Sequence, residues 1–540
     1  MTNMKFDPNY NPYSSKRNLT FGKYGMVATS STLATQAGIE ILKNGGNAVD
    51  AAIATAACLS VVEPTSNGIG SDAFAIVWFK NKLHGLNASG PAPKGISIEK
   101  VKALSHERMP TFGWTPVTVP GTPAAWAALS EKFGSQPLWK VLRPAMEYAL
   151  EGFPVSQTLG ANWQRTFDFY KEKMNGEEFF EWYKTFAPNG RAPKVGEIIT
   201  LKNHARTLEE IARTKAKSFY EGDIAKKIVD ASRKAGGFLT LEDLSTYKPA
   251  WVDPISINYR GYDIWELPPN GQGVVALAAL NILKKFSFST RDNVDTTHLQ
   301  IESLKMAFAA GKKAITDPEV TNFKEINHLL SDEFANAQAS MISGTAKDQT
   351  EVDIAKGGTV YLCTADDDGN MVSYIQSNYM GFGSGIVIPE TGIAMQNRGA
   401  DFSLDENHAN ALRGGKKTYH TIIPGFITKD NDAIGPFGVM GGYMQPQGHV
   451  QVAMNMIDFK LNPQMALDAP RFQWLDAKNV ILEKDFPTHI ANQLTSKGHN
   501  IKIALDSSTF GRGQIIVRNP ETGVLMGGTE SRCDGSVAAF

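Results

Sequence analysis

The segment at residues 356–378 constrains this chain more than any other part of it. Two β-rich runs flank an Asp-Asp-Gly-Asn turn, which is a strong short-range signal for a β-hairpin. If the hairpin is symmetric about Asp368, Thr359 lies opposite Ser377. Because cross-strand partners have Cβ atoms only about 5 Å apart, the two hydroxyl groups are predicted to lie within reach of each other.

Gly357 and Gly358 directly precede Thr359 and admit two interpretations. Glycine has no Cβ, so the pair permits a tight, strained backbone in which the Thr359 hydroxyl attacks the Gly358 carbonyl and cuts the chain. The freed α-amine, with a pKa of about 8, would then act as the base for its own hydroxyl. The alternative is a glycine loop before an ordinary hairpin, whose threonine is simply a good strand former. The hairpin alone favours this ordinary interpretation, because short motifs often match by chance.

Length and charge set broad bounds. The chain has 540 residues, with 54 Lys and Arg against 55 Asp and Glu. It can bury a large core, and its balanced charge gives no indication of nucleic-acid or anionic-membrane binding. The most apolar run, residues 49–62, is too short to span a bilayer and predicts a buried helix. The N-terminal residues lack the apolar stretch of a secretory signal.

The cysteines and histidines indicate neither a disulfide framework nor a metal site. Cys58, Cys363 and Cys533 are few and widely spaced, which suits a reducing compartment, so a cytoplasmic location is expected. His420 and His449 are isolated, and histidines without a ligand cluster are predicted to be hydrogen-bonded structural residues. The sequence therefore predicts no metal and no cofactor.

The order of elements predicts an α+β fold. Residues 1–24 are polar and read as a loose arm, a strand follows at 25–30, and helices are predicted over 33–42 and 49–62. A strand is predicted at 73–78, and the chain is mainly helical from about residue 126 to about residue 285. Residues 319–356 are predicted to form an irregular surface linker. Short alternating runs, among them a predicted strand at 419–427, dominate after residue 359. Helices mixed with hairpins predict antiparallel sheets layered between helices.

Further residues could join the hairpin in a site. Gly441 and Gly442 end a predicted strand, and consecutive glycines can direct two backbone N–H groups at one point as an oxyanion hole. Asp401 is a carboxylate within a loop. Cys363 lies on the Thr359 face of the hairpin and is predicted to be a small buried hydrophobe rather than a nucleophile. The acidic run at 366–368 is predicted to be a solvated turn, since a calcium-binding EF-hand would need a glutamate further on.

Taken together, these residues resemble the γ-glutamyltransferase family, the glutathione hydrolase proenzymes of the N-terminal nucleophile (Ntn) hydrolase superfamily. The resemblance runs from about residue 25 to residue 540, and many family blocks occur in the right order. Besides the threonine block, those blocks are Gly-Gly-Asn-Ala-Val-Asp-Ala-Ala at 45–52, Val-Glu-Pro at 62–64, Val-Pro-Gly at 119–121, Phe-Tyr-Glu-Gly at 219–222, Pro-Pro-Asn-Gly-Gln-Gly at 268–273 and Asp-Ala-Pro-Arg-Phe at 468–472.

The resemblance implies a four-layer αββα Ntn hydrolase fold made as a single precursor. The precursor would cleave itself between Gly358 and Thr359 into a large subunit, 1–358, and a small subunit, 359–540. The two subunits would stay packed together as a heterodimer, with Thr359 as the new N-terminus of the small one.

The resemblance also implies roles for individual residues. Thr359 would be the nucleophile that forms an acyl-enzyme, and Ser377 occupies the position of the second hydroxyl, which hydrogen-bonds the nucleophile and its amine. Gly441 and Gly442 occupy the positions of the oxyanion-hole pair. Asp401 matches the acidic residue that binds the α-amino group of the donor.

Departures from the family pattern fall in the part that binds the donor. The family's glutathione enzymes hold the donor α-carboxylate with an arginine from a segment that here, at residues 86–93, contains none. Their serine pair reads His420-Thr421, and their asparagine beside the donor ammonium is Tyr379, so these three residues are predicted to bind substrate. Loss of a bidentate cation is a severe change. Arg398 is a nearby cation that could partly replace it.

Three functions remain open from the sequence. The first is hydrolysis or transfer of the γ-glutamyl group of glutathione and related amides, with water or an amine as acceptor, and Asp401 favours it. The second is an acylase for another side-chain amide, such as a glutaryl- or adipyl-type β-lactam. Ser89, Tyr379 and His420 favour it, and the blocks at 376–385 and 441–449 are similar to the cephalosporin acylase-like branch. The third is a catalytically silent binding homologue, which the intact Gly-Gly-Thr argues against.

Overall fold

The computed structural model describes residues 17–349 and 358–540. Its β-strands are β1 Thr20–Gly22, β2 Gly25–Thr29, β3 Asp72–Phe79, β4 Lys82–Ala88, β5 Phe153–Pro154, β6 Ile198–Ile199, β7 Ala250–Val252, β8 Ile255–Tyr259, β9 Tyr262–Glu266, β10 Gly358–Asp366, β11 Met371–Tyr379, β12 Gly425–Lys429, β13 Asp432–Met440, β14 Phe472–Asp476, β15 Asn479–Glu483, β16 Asn500–Ala504, β17 Arg512–Arg518, β18 Leu525–Thr529 and β19 Ser536–Ala539.

The helices lie between these strands along the chain, singly or in runs. They are α1 Thr32–Lys43, α2 Ala48–Val62, α3 Ile98–Ala103, α4 Thr122–Phe133, α5 Leu138–Glu151, α6 Gln157–Lys173, α7 Phe180–Phe186, α8 Lys202–Thr214, α9 Lys217–Glu221, α10 Asp223–Lys234, α11 Leu241–Ser245, α12 Gly273–Leu283, α13 Val294–Ala314, α14 Phe323–Leu329, α15 Asp332–Met341, α16 Met444–Ile457, α17 Pro463–Asp468 and α18 Thr488–Ser496. Within residues 17–349 and 358–540, no helix is long and apolar enough to cross a membrane.

Two seven-stranded sheets form the centre of the fold. The first has the strand order β1-β18-β17-β13-β12-β9-β8, and the second has the order β19-β2-β10-β11-β3-β4-β7. Neighbouring strands are antiparallel throughout both sheets. The predicted antiparallel architecture is therefore confirmed, although a small third sheet contains one parallel pair, β15 with β16.

The two large sheets are packed face to face, with helices on both outer sides. Side chains such as Phe74, Tyr361 and Phe426 form the apolar layer between the sheets. The outer face of the second sheet packs against α1, α2 and α4, and the outer face of the first sheet packs against α12 and α16. This is the predicted four-layer αββα arrangement.

Helix α2 fixes the hairpin from one side. Its N-cap Asn47 forms a capping box with Asp50, a pairing that satisfies two orphan N–H groups, and every residue of the helix is buried, as predicted. The Asp366 carboxylate, at the end of β10, accepts a hydrogen bond of 2.8 Å from the backbone N–H of Ala48. The prediction of a solvated acidic turn is therefore wrong for Asp366, which is buried, and right only for its exposed neighbours, residues 367–368.

The prediction of a surface linker at 319–356 is also wrong for residues 319–349, which the structure describes. Helices α14 and α15 lie there, and their Ile326 and Phe334 side chains are buried in the core beneath the first sheet. Asn322 and Ser331 cap the two helices through their side chains. The polar composition hid two short helices whose start signals were present. Residues 350–356 lie outside the described part.

The predicted arm at 1–24 and the strand predicted from Tyr419 also need correction. Residues 1–16 lie outside the described part, but β1 pairs with β18 and so extends the first sheet. Strand β12 begins only at Gly425, and residues 419–424 run irregularly, with His420 in an isolated bridge to Gly271.

The segments on either side of Thr359 build both large sheets together. Strands β1, β8 and β9 of the first sheet precede it, and β12, β13, β17 and β18 follow it. The second sheet combines β2, β3, β4 and β7 with β10, β11 and β19. Neither segment can complete a sheet without strands from the other.

Buried histidines predict that the fold loses stability in acid. Burial lowers the pKa of His204 to about 4, and burial, assisted by Lys305, lowers that of His499 to about 3. The unfolded chain binds protons at these sites below about pH 6.5, whereas the folded chain binds them only near the lowered pKa values. The free energy of unfolding therefore decreases as the pH falls from about 6.5 towards those lowered values. We expect His204 alone to contribute about 3 kcal/mol to the loss, at about 1.4 kcal/mol per pKa unit.

The free energy of unfolding, measured by urea titration between neutral pH and pH 4, tests this expectation. His204→Asn should flatten the pH dependence, and the matched variant His489→Asn, at an exposed histidine, should leave it unchanged. An equal slope in the wild type and His204→Asn would contradict the assignment.

Candidate active site

The hairpin of β10 and β11 has the predicted register. Val360 lies opposite Gln376, and the pairing continues in step to the turn, so its centre is at residue 368. The Thr359 Oγ1 atom lies 3.0 Å from Ser377 Oγ and donates a hydrogen bond to it. Both side chains are only 1% exposed. The predicted approach of the two hydroxyl groups is confirmed.

The end of β11 departs from regular pairing just where these hydroxyls meet. Gly358 is paired with Tyr379, so Ser377 and Asn378 together lie opposite the single residue Thr359. Such a bulge re-aims the side chains beside it. Tyr379 has a φ of +75°, a left-handed conformation that is uncommon for a bulky residue and is often found at functional sites.

The Ser377 hydroxyl has three partners at once. It donates to the Gly358 carbonyl oxygen at 2.7 Å, and it accepts from Thr359 Oγ1 at 3.0 Å and from the backbone N–H of Tyr379 at 2.8 Å. A serine hydroxyl has one donor and two acceptor positions, so its capacity is full. The Ser377 side chain thereby binds both the Gly358 carbonyl and the Thr359 hydroxyl.

Gly441 and Gly442 follow β13 with φ angles of +140° and +61°, a region that favours glycine. Neither N–H group donates a hydrogen bond to another described residue. The Gln272 side-chain amide donates to the carbonyl oxygens of Gly442 at 2.9 Å and Thr421 at 2.6 Å. The glycine pair is thus held against the irregular segment that carries Thr421, with two backbone donors available for an oxyanion.

Asp401 is engaged by its neighbours. Its Oδ1 accepts hydrogen bonds from the hydroxyls of Tyr379 at 2.7 Å and Tyr443 at 3.1 Å, and its Oδ2 lies 3.5 Å from Arg398 Nη1. Burial, and then the charge of Asp401, raises the pKa of both tyrosines well above its usual value. Both hydroxyls therefore keep their protons and donate to the carboxylate.

Arg398 links three of the residues predicted to bind substrate. Its Nη1 donates to Thr421 Oγ1 at 2.9 Å and also faces Asp401. Its guanidinium carbon lies 4.0 Å from the centre of the Tyr379 ring, which is a cation–π contact. The side chain is 1% exposed. Arg398 thus carries a buried positive charge into the group of predicted donor-binding residues.

His420 is used by its own surroundings. Its Nε2 lies 3.0 Å from Asp72 Oδ2, its Nδ1 accepts from the Ile422 N–H at 3.3 Å, and its ring lies 4.8 Å from that of Phe74. Burial lowers the pKa of His420 well below its usual value and raises that of Asp72 to about 7, an effect that the Arg398 charge opposes. His420 is neutral, and only its carbon atoms could face a ligand.

Two other predictions from the sequence can be compared with the structure. His449 is buried and its Nδ1 lies 2.6 Å from Glu266 Oε1, so it is the predicted hydrogen-bonded histidine. Cys363 is buried, with its Sγ 3.2 Å from the Tyr361 hydroxyl, and burial raises the pKa of its thiol. A thiol that resists ionisation is a poor nucleophile, in agreement with its prediction as a small buried residue.

Sequence reasoning missed a histidine pair elsewhere in the fold. Ligand atoms of His298, Glu302 and His499 lie within 4.8 Å of one another. His298 Nδ1 and His499 Nε2 are hydrogen-bonded to each other at 2.8 Å, and the Glu302 carboxylate is paired with Lys305 at 2.8 Å, so these atoms already have partners within the protein. The spacing of His298 and Glu302, four residues apart on α13, was a visible signal, but His499 lies far along the chain. Tyr443 and Gln272 were also missed.

A family model and a solved structure both match this chain over nearly its whole length. A model of the gamma-glutamyltranspeptidase family matches residues 34–540. The chain is similar to a solved structure described as cephalosporin acylase from Bacillus halodurans, with 57% identity, a TM-score of 0.97 and coverage of 99% of both chains.

Two curated relatives have lower identity over nearly the whole length. One is the glutathione hydrolase-like YwrD proenzyme of Bacillus subtilis, 33% identical over 96% of this chain and 99% of the relative. The other is the oxamate amidohydrolase proenzyme of Klebsiella pneumoniae, 31% identical over 96% of this chain and 98% of the relative. The resemblance read from the sequence is confirmed, and the chain belongs to the gamma-glutamyltranspeptidase family.

Proposed function

We propose that this protein is a self-processing amidohydrolase that forms a threonine acyl-enzyme and hydrolyses or transfers the γ-glutamyl group of glutathione and related amides. The observation that carries the proposal is the Ser377 hydroxyl, which is hydrogen-bonded both to Thr359 Oγ1 and to the Gly358 carbonyl oxygen. Family membership supports the same chemistry.

The first reaction would be cleavage of the chain itself. Thr359 Oγ1 attacks the Gly358 carbonyl carbon, while the Ser377 hydroxyl stabilises the charge that develops on the carbonyl oxygen. The C–N bond breaks, the threonine proton is transferred to the leaving nitrogen, and an ester joins the two residues. Water hydrolyses this ester to give a carboxylate on Gly358 and a free amine on Thr359.

The second reaction would be turnover of a donor. The freed α-amine of Thr359, with a pKa of about 8, takes the proton of its own hydroxyl as that hydroxyl attacks the donor amide. The N–H groups of Gly441 and Gly442 would hold the oxyanion, and water or an amine would release the acyl group. Because both segments contribute strands to both sheets, we expect 1–358 and 359–540 to remain together as a heterodimer.

The donor and the location are the finer parts of the proposal. A γ-glutamyl group carries a carboxylate and an ammonium at the end remote from the amide, and Asp401 would bind that ammonium. The name of the Bacillus subtilis relative supports a glutathione-type donor. Three buried, unpaired cysteines support a reducing, cytoplasmic setting.

A second candidate is an acylase for a donor without the ammonium, such as a glutaryl amide. The specific observation is that Asp401 already accepts hydrogen bonds from Tyr379 and Tyr443 and faces Arg398. The name of the 57% identical structure, cephalosporin acylase, also favours it. A glutaryl amide is a γ-glutamyl amide without its α-amino group, so the two donors share chain length and carboxylate. Oxamate, named for another relative, is likewise the monoamide of a dicarboxylic acid.

Replacement of the nucleophile should prevent processing. Thr359→Ala removes the hydroxyl that makes the proposed attack, so we expect an uncut, inactive chain of 58.8 kDa by intact-mass spectrometry, whereas the wild type gives two fragments that divide at Gly358–Thr359. Thr359→Ser is the control, because it keeps a hydroxyl and should still be cleaved. Maturation of Thr359→Ala into two pieces would show that another group cuts the chain.

Loss of the second hydroxyl should slow processing without abolishing the nucleophile. Ser377→Ala removes the donor to the Gly358 carbonyl, and we expect cleavage to slow by about a hundredfold or more, as for loss of one oxyanion donor. A time course of fragment formation in freshly synthesised protein measures the rate. Ser377→Thr keeps the hydroxyl and serves as the control. Cleavage of Ser377→Ala at the wild-type rate would remove Ser377 from the mechanism.

The role of Asp401 separates the two donor candidates. Asp401→Asn should lower kcat/KM for γ-glutamyl-p-nitroanilide by about tenfold or more and change that for glutaryl-p-nitroanilide by less than about threefold, because only the first donor has an ammonium to bind. Cleavage should be unaffected. Asp405→Asn, at an exposed position in the next loop, is the matched control.

The opposite pattern would favour the acylase. A wild-type preference for the glutaryl donor, with Asp401→Asn affecting both donors alike, would show that Asp401 does not receive an ammonium. Glutathione turnover by the same sample, measured as released cysteinylglycine, then shows which donor class is used.

A further inference from the structure

We propose that Arg398 is the receptor for the carboxylate of the acyl donor and so selects monoamides of dicarboxylic acids. The inference rests on the proposed function, since it assigns a binding group to the donor of that reaction. It holds for γ-glutamyl and glutaryl donors alike, because both carry this carboxylate.

One edge of the Arg398 guanidinium has no partner. Nη1 donates to Thr421 Oγ1, but Nε and Nη2 are buried and hydrogen-bonded to no described residue. These two nitrogens form the side-on fork of the guanidinium, whose parallel N–H groups match the two oxygens of a carboxylate. Leaving charged donors buried and unpaired is unfavourable, so such a pair requires an explanation. A ligand carboxylate supplies one.

The side chain that carries this fork contacts Tyr379 and Thr421, two residues of the candidate active site. On one side Arg398 stacks on Tyr379, whose N–H is bonded to Ser377 Oγ. On the other side it holds Thr421, whose carbonyl shares the Gln272 amide with Gly442. Arg398 is therefore linked to Ser377 through Tyr379, and to Gly442 through Thr421 and Gln272.

The place where the resembling enzymes carry their arginine is filled by neutral groups. In β4 and just beyond it, Asn87 donates to Asn270 Oδ1 at 2.9 Å, and Ser89 Oγ donates to Asn87 Oδ1 at 2.7 Å. Asn270 in turn donates to the Thr418 carbonyl at 2.7 Å. These contacts join the segment at 86–93 to the segment that carries Thr421, but they supply no cation. Arg398, from the short 3-10 helix at Arg398–Asp401, supplies the positive charge instead.

The remaining contacts of Arg398 hold the fork in place. Thr421 Oγ1 accepts a hydrogen bond from Nη1, and the Tyr379 ring covers one face of the guanidinium. These contacts fix the plane and the Nη1 edge, and leave Nε and Nη2 to bind a ligand. A planar cation held in this way loses little freedom when a carboxylate binds. We expect the acyl chain of a donor to place its carboxylate at Arg398 and its amide at Thr359.

A matched pair of chromogenic donors tests the proposal. Glutaryl-p-nitroanilide and butyryl-p-nitroanilide differ only by the carboxylate. Arg398→Gln should lower kcat/KM for the glutaryl donor by about a hundredfold or more, as for removal of one partner of a buried charge pair, and change that for the butyryl donor by less than about threefold. Arg398→Lys keeps the charge without the fork, and should recover only part of the loss.

The controls separate recognition from structure. Arg213→Gln, at an exposed arginine paired with Glu210 on the surface, should match the wild type on both donors. If the role of Arg398 were purely structural, its replacement would lower kcat/KM for both donors alike. An unchanged ratio of kcat/KM between the glutaryl and butyryl donors in Arg398→Gln or Arg398→Lys would overturn the proposal.

A second measurement does not depend on turnover. Calorimetric titration of the full chain with glutarate and with butyrate should show tighter binding of glutarate to the wild type and loss of that difference in Arg398→Gln. If the protein cleaves no amide, the proposed reaction fails but the titration still decides the inference. Equal glutarate binding by the wild type and the variant would overturn it.

Discussion

The candidate site depends on a single hydroxyl with one proton. Ser377 donates that proton to the Gly358 carbonyl, so it can only accept from Thr359 and from the Tyr379 N–H. The direction of the chain of hydrogen bonds is therefore fixed: from Thr359 to Ser377 to Gly358. The Gly358 carbonyl is thus polarised by a hydrogen-bond donor before any attack on its peptide bond, as the proposed cleavage requires.

The layers around the hairpin keep this geometry in place. β10 lies between β2 and β11 in the second sheet, with α2 on one face and the first sheet on the other. Asp366 fastens the far end of the strand to the N-terminus of α2, where a carboxylate is favoured. At the near end, Tyr379 has a left-handed conformation, which its hydrogen bond to Asp401 and its stacking on Arg398 help to stabilise.

The sequence predicts this site unevenly, for physical reasons. The turn chemistry at residue 368 and the two-residue period of strands fixed the register, and so placed Thr359 beside Ser377. The bulge at Asn378 was not predicted, because one extra residue leaves no trace in an alternating pattern. The hydroxyl of Tyr443 on Asp401 joins residues 42 positions apart, a contact that only tertiary packing creates. Helices α14 and α15 were missed although Asn322 and Ser331 could have marked their starts.

The charges around Arg398 determine which part of a donor is selected most strictly. A donor carboxylate meets two N–H groups that are hydrogen-bonded to no described residue, so it competes with no side chain for them. A donor ammonium must instead compete with the hydroxyls of Tyr379 and Tyr443 for Asp401, and hydrogen bonds to a charged group contribute about 1.5–3 kcal/mol each. Discrimination between γ-glutamyl and glutaryl donors is therefore set by how readily the two tyrosines release Asp401, whereas the carboxylate is required by both.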